Sequence, residues 1–292
     1  MSLEAKMGKI HLSYSGLETW LHCGEQFRLQ RILRVEQKPA YYLSGGSAVH
    51  HATEAADREL EYGASYEEAA EVGVDEFHEY FHAELEKEPD LEKWAAGGRA
   101  TKANPNKEDA GWWATQGPVM VRDWVKWREE NQSTSVLALT DSDLTQHMGI
   151  EVPIDFELEG GVRVRGYIDR VFTSGSAPLI VDLKTGSREP ASGLQLAIYR
   201  LGLRKNYGMD VSLGSFYMAR KAALSGLVDV SRYTEAMLSR WFRDLTQAIE
   251  RDIYIPNITA MCNTCSVKDF CYAQNPAAEL PNFQSDLQVE EV

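Results

Sequence analysis

The sequence predicts an α/β protein built on a central mixed sheet flanked by helices, with a helical N-terminal region ahead of it. Three observations point there. Apolar residues recur at helical spacing through the first half. From Ile150 to Leu183 they alternate with a period of two, interrupted by glycine-bearing breaks. A helix, a strand and a long amphipathic helix then follow in turn.

Taken in order, Ser13 to Val35 reads as a helix opened by a serine cap, with Leu17, Trp20, Leu21 and Phe27 on its apolar positions. A loop through Pro39 leads to Gly45 and Gly46, and the next helix is expected from Ser47 to about Glu61. An acidic helix covers roughly Ser65 to Glu86. The stretch from Pro89 to Gly111, rich in Gly, Asn, Lys and Pro, reads as a mobile loop. A helix near Trp112 to Glu130 carries Trp124 and Trp127, read as core anchors ahead of base-stacking platforms. Ile150–Leu158, Val162–Thr173 and Leu179–Leu183 read as three strands, separated by Glu159-Gly160-Gly161 and Ser174-Gly175-Ser176. A helix from Gly193 to about Asn206, a strand near Leu213 to Ala219 and an amphipathic helix over about Arg232 to Ile253 complete the core. Residues 275–292 read as a flexible polar tail.

With 292 residues, 43% hydrophobic and 25% charged, the chain suits one elaborated globular domain. No apolar run approaches the roughly 20 residues of a membrane span. Met1 to Leu12 contains no apolar signal core, so the expectation is a cytoplasmic protein with no membrane partner. The net charge of −14 argues against nucleic acid until its distribution is considered. His51 to Glu92 carries 15 acidic residues against Arg58 and Lys87, and the remainder is close to neutral. That run reads as a solvated helix face and leaves a basic groove available elsewhere.

The most informative stretch is Gly166-Tyr167-Ile168-Asp169-Arg170, followed by Ile180-Val181-Asp182-Leu183-Lys184-Thr185-Gly186. Apolar residues flank both aspartates, which places each on a buried strand, where a carboxylate is costly unless paired or bound to metal. Antiparallel pairing through the 174–177 turn brings Asp169 near Asp182, and a divalent cation removes their repulsion. Lys184, two residues beyond Asp182, shares its face of the strand. Two carboxylates and an ammonium suit phosphodiester hydrolysis, with Mg²⁺ or Mn²⁺ on hard oxygen ligands and the lysine orienting a water. Asp-x-Lys alone equally describes a surface salt bridge on a hairpin.

The Ile-Asp-Arg strand, the Asp-x-Lys-Thr-Gly strand end and the helix bearing Gln195-Leu196-Ala197-Ile198-Tyr199 resemble the PD-(D/E)xK nuclease superfamily. More narrowly they resemble its RecB-like branch, which includes CRISPR-associated exonucleases and the nuclease domain of AddB. The resemblance implies a restriction-endonuclease-like core in which Asp169 and Asp182 bind metal and Lys184 is catalytic. Gln195 and Tyr199, four apart on one helical face, would support the site or the DNA. Gly46-Ser47-Ala48-Val49-His50 matches the family's Gly-x-x-x-His, which implies His50 as an imidazole ligand favouring Mn²⁺ over Mg²⁺. Glu54, one turn further, is a candidate direct or outer ligand, whereas His51 reads as packing or surface. The expected organisation is a single nuclease domain over 1–274. It comprises N-terminal helices with the first cysteine and the histidine motif (12–60), a helical insertion (61–145), the catalytic α/β core (146–252) and a cysteine segment (253–274).

Cys262-x₂-Cys265-x₅-Cys271 has the spacing of a ligand knuckle, with Cys23 as a fourth ligand from far along the chain. Four thiolates suit Zn²⁺ or a [4Fe–4S] cluster. One cysteine before the core and three after it is the arrangement of the cluster-bearing RecB-like enzymes, and it implies a structural [4Fe–4S] group stapling the two ends. The functional expectation is a metal-dependent DNA exonuclease acting on single strands or duplex ends. The alternatives are a nuclease subunit dependent on protein partners in recombination or CRISPR adaptation, a homo-oligomer among its forms, and a non-catalytic DNA-binding scaffold. Cleavage by the isolated chain separates the first from the others.

Overall fold

The computed structural model describes residues 2–102, 105–175 and 177–277. The expected tail therefore lies, from residue 278 on, outside the described residues. Eight helices are described in chain order: α1 (Leu3–Met7), α2 (Tyr14–His22), α3 (Gly24–Phe27), α4 (Tyr41–Glu61), α5 (Tyr66–Glu86), α6 (Ala110–Glu130), α7 (Leu194–Tyr207) and α8 (Glu235–Glu250). The strands are β1 (His11–Leu12), β2 (Thr134–Val136), β3 (Ala138–Thr140), β4 (Gln146–Met148), β5 (Ile150–Glu157), β6 (Arg163–Ser174), β7 (Ala177–Lys184), β8 (Leu213–Met218), β9 (Ala223–Leu224) and β10 (Val228–Asp229). No described helix is long and apolar enough to cross a membrane. The described residues divide into two compact units: those within 2–38, 155–166 and 233–277 form one, and those within 39–154 and 167–232 form the other.

In the first unit, α8 buries Leu238, Phe242, Leu245 and Ile249, a stripe at helical spacing. Its exposed C-terminal carbonyls are met by Lys6, whose Nζ donates to the Ile249 carbonyl at 2.7 Å and pairs with Asp252 at 2.6 Å. The single helix expected over Ser13–Val35 is broken. Ser13 caps α2 as expected, accepting from the Gly16 N–H at 3.3 Å. At Cys23 the backbone turns extended (φ −162°, ψ 112°), and the chain resumes as α3 and a π-turn over Arg28–Ile32. The cause is a close backbone approach. Gly24 N–H donates to the Ile255 carbonyl at 3.0 Å, and a Cβ at Gly24 would fall 2.7 Å from the Ile255 nitrogen.

The second unit contains a mixed sheet in the order β6–β7–β8–β10, with β2 and β5 also paired to β6 and β9 to β8. β6 and β7 are antiparallel, from Arg170↔Val181 to Ser174↔Ala177. β7 and β8 run parallel from Ile180↔Gly214 to Lys184↔Met218, which requires a crossover, supplied by α7. Ala48, Val49 and Ala52 of α4, Phe77 and Phe81 of α5, and Trp113, Val121 and Trp124 of α6 pack with Phe172, Val181 and Tyr217 of the sheet. Trp124 and Trp127 are therefore core anchors, as expected. The α/β class and mixed sheet agree with the sequence-based expectation.

Several boundaries differ from expectation, each for a packing reason. α4 begins at Tyr41, so Gly45 and Gly46 lie inside it. A Cβ at Gly45 would fall 2.2 Å from the Trp113 ring, and one at Gly46 would fall 3.0 Å from Thr185 Oγ1. These glycines permit contact rather than break the helix. Within the segment expected as a mobile loop, Trp94 is buried and its Nε1 donates to the Glu88 carbonyl at 2.8 Å. Asp57, counted within the acidic run, is fully buried rather than solvated.

Asp57 on α4 accepts from Arg170 Nε of β6 at 2.6 Å, from Trp124 Nε1 at 3.0 Å and from Arg128. Arg170 also donates to its neighbour Asp169's carbonyl at 2.6 Å and to Thr53 Oγ1 at 3.4 Å. Removing one member of such a buried set strands the others without counter-charge. Asp57→Ala is expected to lower unfolding stability by about 3–5 kcal/mol, read by urea denaturation. A loss below about 1 kcal/mol would show that the two guanidiniums do not depend on it.

Candidate functional site

Asp169 and Asp182 stand one position beyond the last bridged pair of β6 and β7, Arg170↔Val181, so two adjacent strands deliver them to one place. Asp182 is 1% exposed and Asp169 8%. Asp169 Oδ2 accepts the Leu183 N–H at 2.9 Å and lies 3.3 Å from His50 Nδ1 on α4. The Gly46 contact with Thr185 and the Thr53–Asp57–Arg170 bonds hold α4 against these strands, which fixes the His50 ring beside Asp169.

Asp182 is anomalous. Lys184 Nζ lies 2.6 Å from its Oδ2, close enough for strong Coulombic attraction. Apart from that ion pair, neither carboxylate oxygen of Asp182 has a hydrogen-bond partner among the described residues. Buried carboxylate oxygens left so are expensive, and a cation is their natural complement. Lys184 is held from its other side. Its Nζ donates to Gln195 Oε1 at 2.8 Å, and Gln195 Nε2 donates to the Tyr199 hydroxyl at 2.8 Å, both residues on one face of α7.

His50, Glu151 and Asp169 place ligating atoms within 4.8 Å of one another, a set able to hold a metal ion through one nitrogen and two carboxylates. Glu151 was not singled out from sequence. In Ile150-Glu151-Val152-Pro153-Ile154 it occupies a polar slot of an alternating strand, where a solvent-facing residue is the ordinary reading. Its backbone, at φ +48°, departs from strand geometry, and its side chain lines the cleft with His50 and Asp169. Glu54 lines the same cleft, but its Oε1 accepts two bonds from Arg58, at 2.7 and 3.1 Å. It stands outside the His50–Glu151–Asp169 group.

Burial, and then the Asp169 charge, pushes Asp182 up to about 7. The same two causes push Glu151 to about 7, and burial raises Asp169. Burial moves His50 the other way, below its ordinary value. These are the shifts of a site short of positive charge.

All four cysteines belong to the first unit and are free thiols. The break between α2 and α3 presents Cys23, whose Sγ accepts the Asn257 N–H at 3.4 Å; Cys262 Sγ accepts the Thr259 N–H at 3.5 Å. Burial raises the Cys265 thiol, a Val267 backbone bond opposes this, and the other three cysteines push it further up. Backbone donors thus face Cys23, Cys262 and Cys265.

The sign of the pH response follows. Asp182 and Glu151 bind protons more tightly folded than unfolded, so the stability of the metal-free protein falls as pH rises through about 7. His50, depressed when folded, adds stability with rising pH, but only below its unfolded value of about 6.5. Melting curves in EDTA should therefore show a Tm that declines as pH rises toward about 7, most steeply above the His50 range, and levels off beyond it. Asp182→Asn should flatten that decline; an unchanged slope would remove Asp182 as its source.

Residues 11–272 match the PD-(D/E)XK nuclease superfamily. The Gene 69 protein of Mycobacterium phage L5 is 25% identical over 281 residues, covering 89% of this chain and 95% of its own length. The Gene 69 protein of Mycobacterium phage D29 is 25% identical over 267 residues, with the same coverage. A family match spanning the mixed sheet, the acidic cleft and all four cysteines leaves one conclusion: this chain belongs to the PD-(D/E)XK nuclease superfamily, whose members use divalent metals such as Mg²⁺ or Mn²⁺.

Proposed function

We propose that this chain is a metal-dependent DNA exonuclease of the RecB-like branch, acting on single strands or DNA ends, with a structural [4Fe–4S] cluster. The observation that carries the reading is Asp182: a buried carboxylate offset by the single Lys184 ammonium and otherwise without a hydrogen-bond partner among the described residues, beside the second buried carboxylate of Asp169. His50, Asp169 and Glu151 have the donor chemistry for Mg²⁺ or Mn²⁺, with the imidazole tilting preference toward Mn²⁺; Asp182 stands outside that group and is proposed as a further ligand. Glu54 is a candidate outer ligand through the oxygen that Arg58 leaves free.

A divalent ion there supplies Lewis acidity to a phosphoryl oxygen and lowers the pKa of a water. The chain's own residues do the rest. Lys184, drawn to Asp182 and fixed by Gln195, presents an ammonium that orients the attacking water and offsets charge on the phosphate. The Tyr199 hydroxyl, accepting from Gln195, fixes which way that amide faces and so keeps its oxygen toward Lys184. Arg170 holds β6 and α4 together, so that Asp169 and His50 keep their separation through turnover.

The cysteines fit a cluster. N–H donors aimed at sulfur stabilise thiolates. Tetrahedral Zn²⁺ at about 2.3 Å from sulfur would draw thiolates to about 3.8 Å from one another.

End-labelled single-stranded DNA should be degraded with Mg²⁺ or Mn²⁺ and not with EDTA, and Lys184→Ala or Asp182→Ala should reduce cleavage at least about a thousand-fold with the fold retained. Cleavage surviving in either folded variant would sink the assignment. Protein purified without oxygen should carry about four iron and four sulfide per chain, lost in Cys23→Ala; stoichiometric zinc instead would replace the cluster with a zinc site.

A further inference from the structure

The cleft that holds His50, Glu151 and Asp169 has an aromatic rim that the chemistry above does not use. Tyr167 lies two residues before Asp169 on the same face of β6, and it is 57% exposed. Ile168 between them is fully buried on the other face. From the helical side come His51 and Tyr80, their ring centroids 5.1 Å apart, with His51 Nε2 3.0 Å from a Glu76 carboxylate oxygen. Both also line the cleft. Single exposed aromatics are ordinary; three rings bordering one acidic cleft ask for a ligand with a flat face.

Two further features say which ligand. No lysine or arginine is among the residues that line the cleft, so apart from Lys184 beside Asp182 it offers no cationic track for a phosphate backbone. Beyond that lysine, affinity comes from the ion and from stacking. The cleft volume of about 300 Å³ is at the small end for ligand sites and suits a single nucleotide rather than a duplex.

We propose that Tyr167, with the Tyr80–His51 ring pair, is a stacking platform for the nucleobase next to the scissile phosphate, and that it selects single-stranded DNA. This rests on the nuclease reading above and adds its substrate preference. Every base has a π-face that an unpaired strand exposes, whereas within a duplex those faces are covered by neighbouring pairs. Stacking of this kind is sequence-tolerant, so the preference concerns strandedness and not sequence.

The test uses the full chain, Tyr167→Ala and Tyr167→Phe, with a single-stranded oligonucleotide carrying 2-aminopurine at its end. In Ca²⁺, without turnover, the wild-type protein and Tyr167→Phe should quench the terminal fluorophore, and Tyr167→Ala should not. In Mn²⁺, Tyr167→Ala should raise KM for single-stranded DNA about ten-fold with kcat nearly kept, Tyr167→Phe should restore it, and cleavage of blunt duplex should not change. Equal quenching by the wild-type protein and Tyr167→Ala, or an equal loss on single-stranded and duplex DNA, would overturn the platform. Absence of cleavage by the wild-type protein would overturn the nuclease reading instead, and the quenching comparison would still decide the platform.

Discussion

The buried bond between Arg170 and Asp57 governs the second unit. One end lies on β6, adjacent to Asp169, and the other on α4, seven residues after His50. Residues at these separations on a helix share a face, so His50, Thr53 and Asp57 all look toward β6. The guanidinium donates to three partners that differ in chemistry: a carboxylate, a hydroxyl and the Asp169 carbonyl. Its planar fork makes those directions rigid in a way an ammonium could not. Helix and strand are thereby locked with the imidazole and the carboxylate facing each other. Arg128 and Trp124 of α6 share the same aspartate, which extends the lock to a third element.

The lock also clarifies the acidic stretch. Much of it is solvated or locally paired: Glu68 closes a capping box with Ser65, Glu54 takes Arg58, and Glu76 takes His51. Asp57 alone in that run is fully buried. Composition treats all 15 acids alike, but one of them organises the core while its neighbours carry charge into water. The net charge of −14 accordingly says little about the cleft.

The sheet, its three long strands and the crossover helix were legible because each rests on hydrophobic period and glycine turns, which are local. Glu159-Gly160-Gly161 is an example, with φ of +96° and +83° at the two glycines. Asp169, Asp182, Lys184, Gln195 and Tyr199 were legible as a pattern, and their closeness follows from strand pairing. What was hidden depends on partners distant in sequence. Gly45 and Gly46 look like breakers until Trp113 and Thr185 are placed against them. Cys23 interrupts a helix because Ile255 approaches. Glu151 is an ordinary polar strand residue until His50 and Asp169 are placed beside it. The short strands β2–β4, β9 and β10 carry too few residues for any period to register.

Asp182 has a consequence for evolution and engineering. A group that is a liability to the empty fold and an asset only when filled places conformational durability and chemical purpose in opposition at one side chain. Directed evolution scored on heat resistance in chelating buffer would discard this aspartate early, since an uncharged isostere relieves the defect at once. The survivors would be sturdier proteins with an impaired centre. Scoring in the presence of divalent ions reverses the pressure, because mass action then rewards whatever retains the ion.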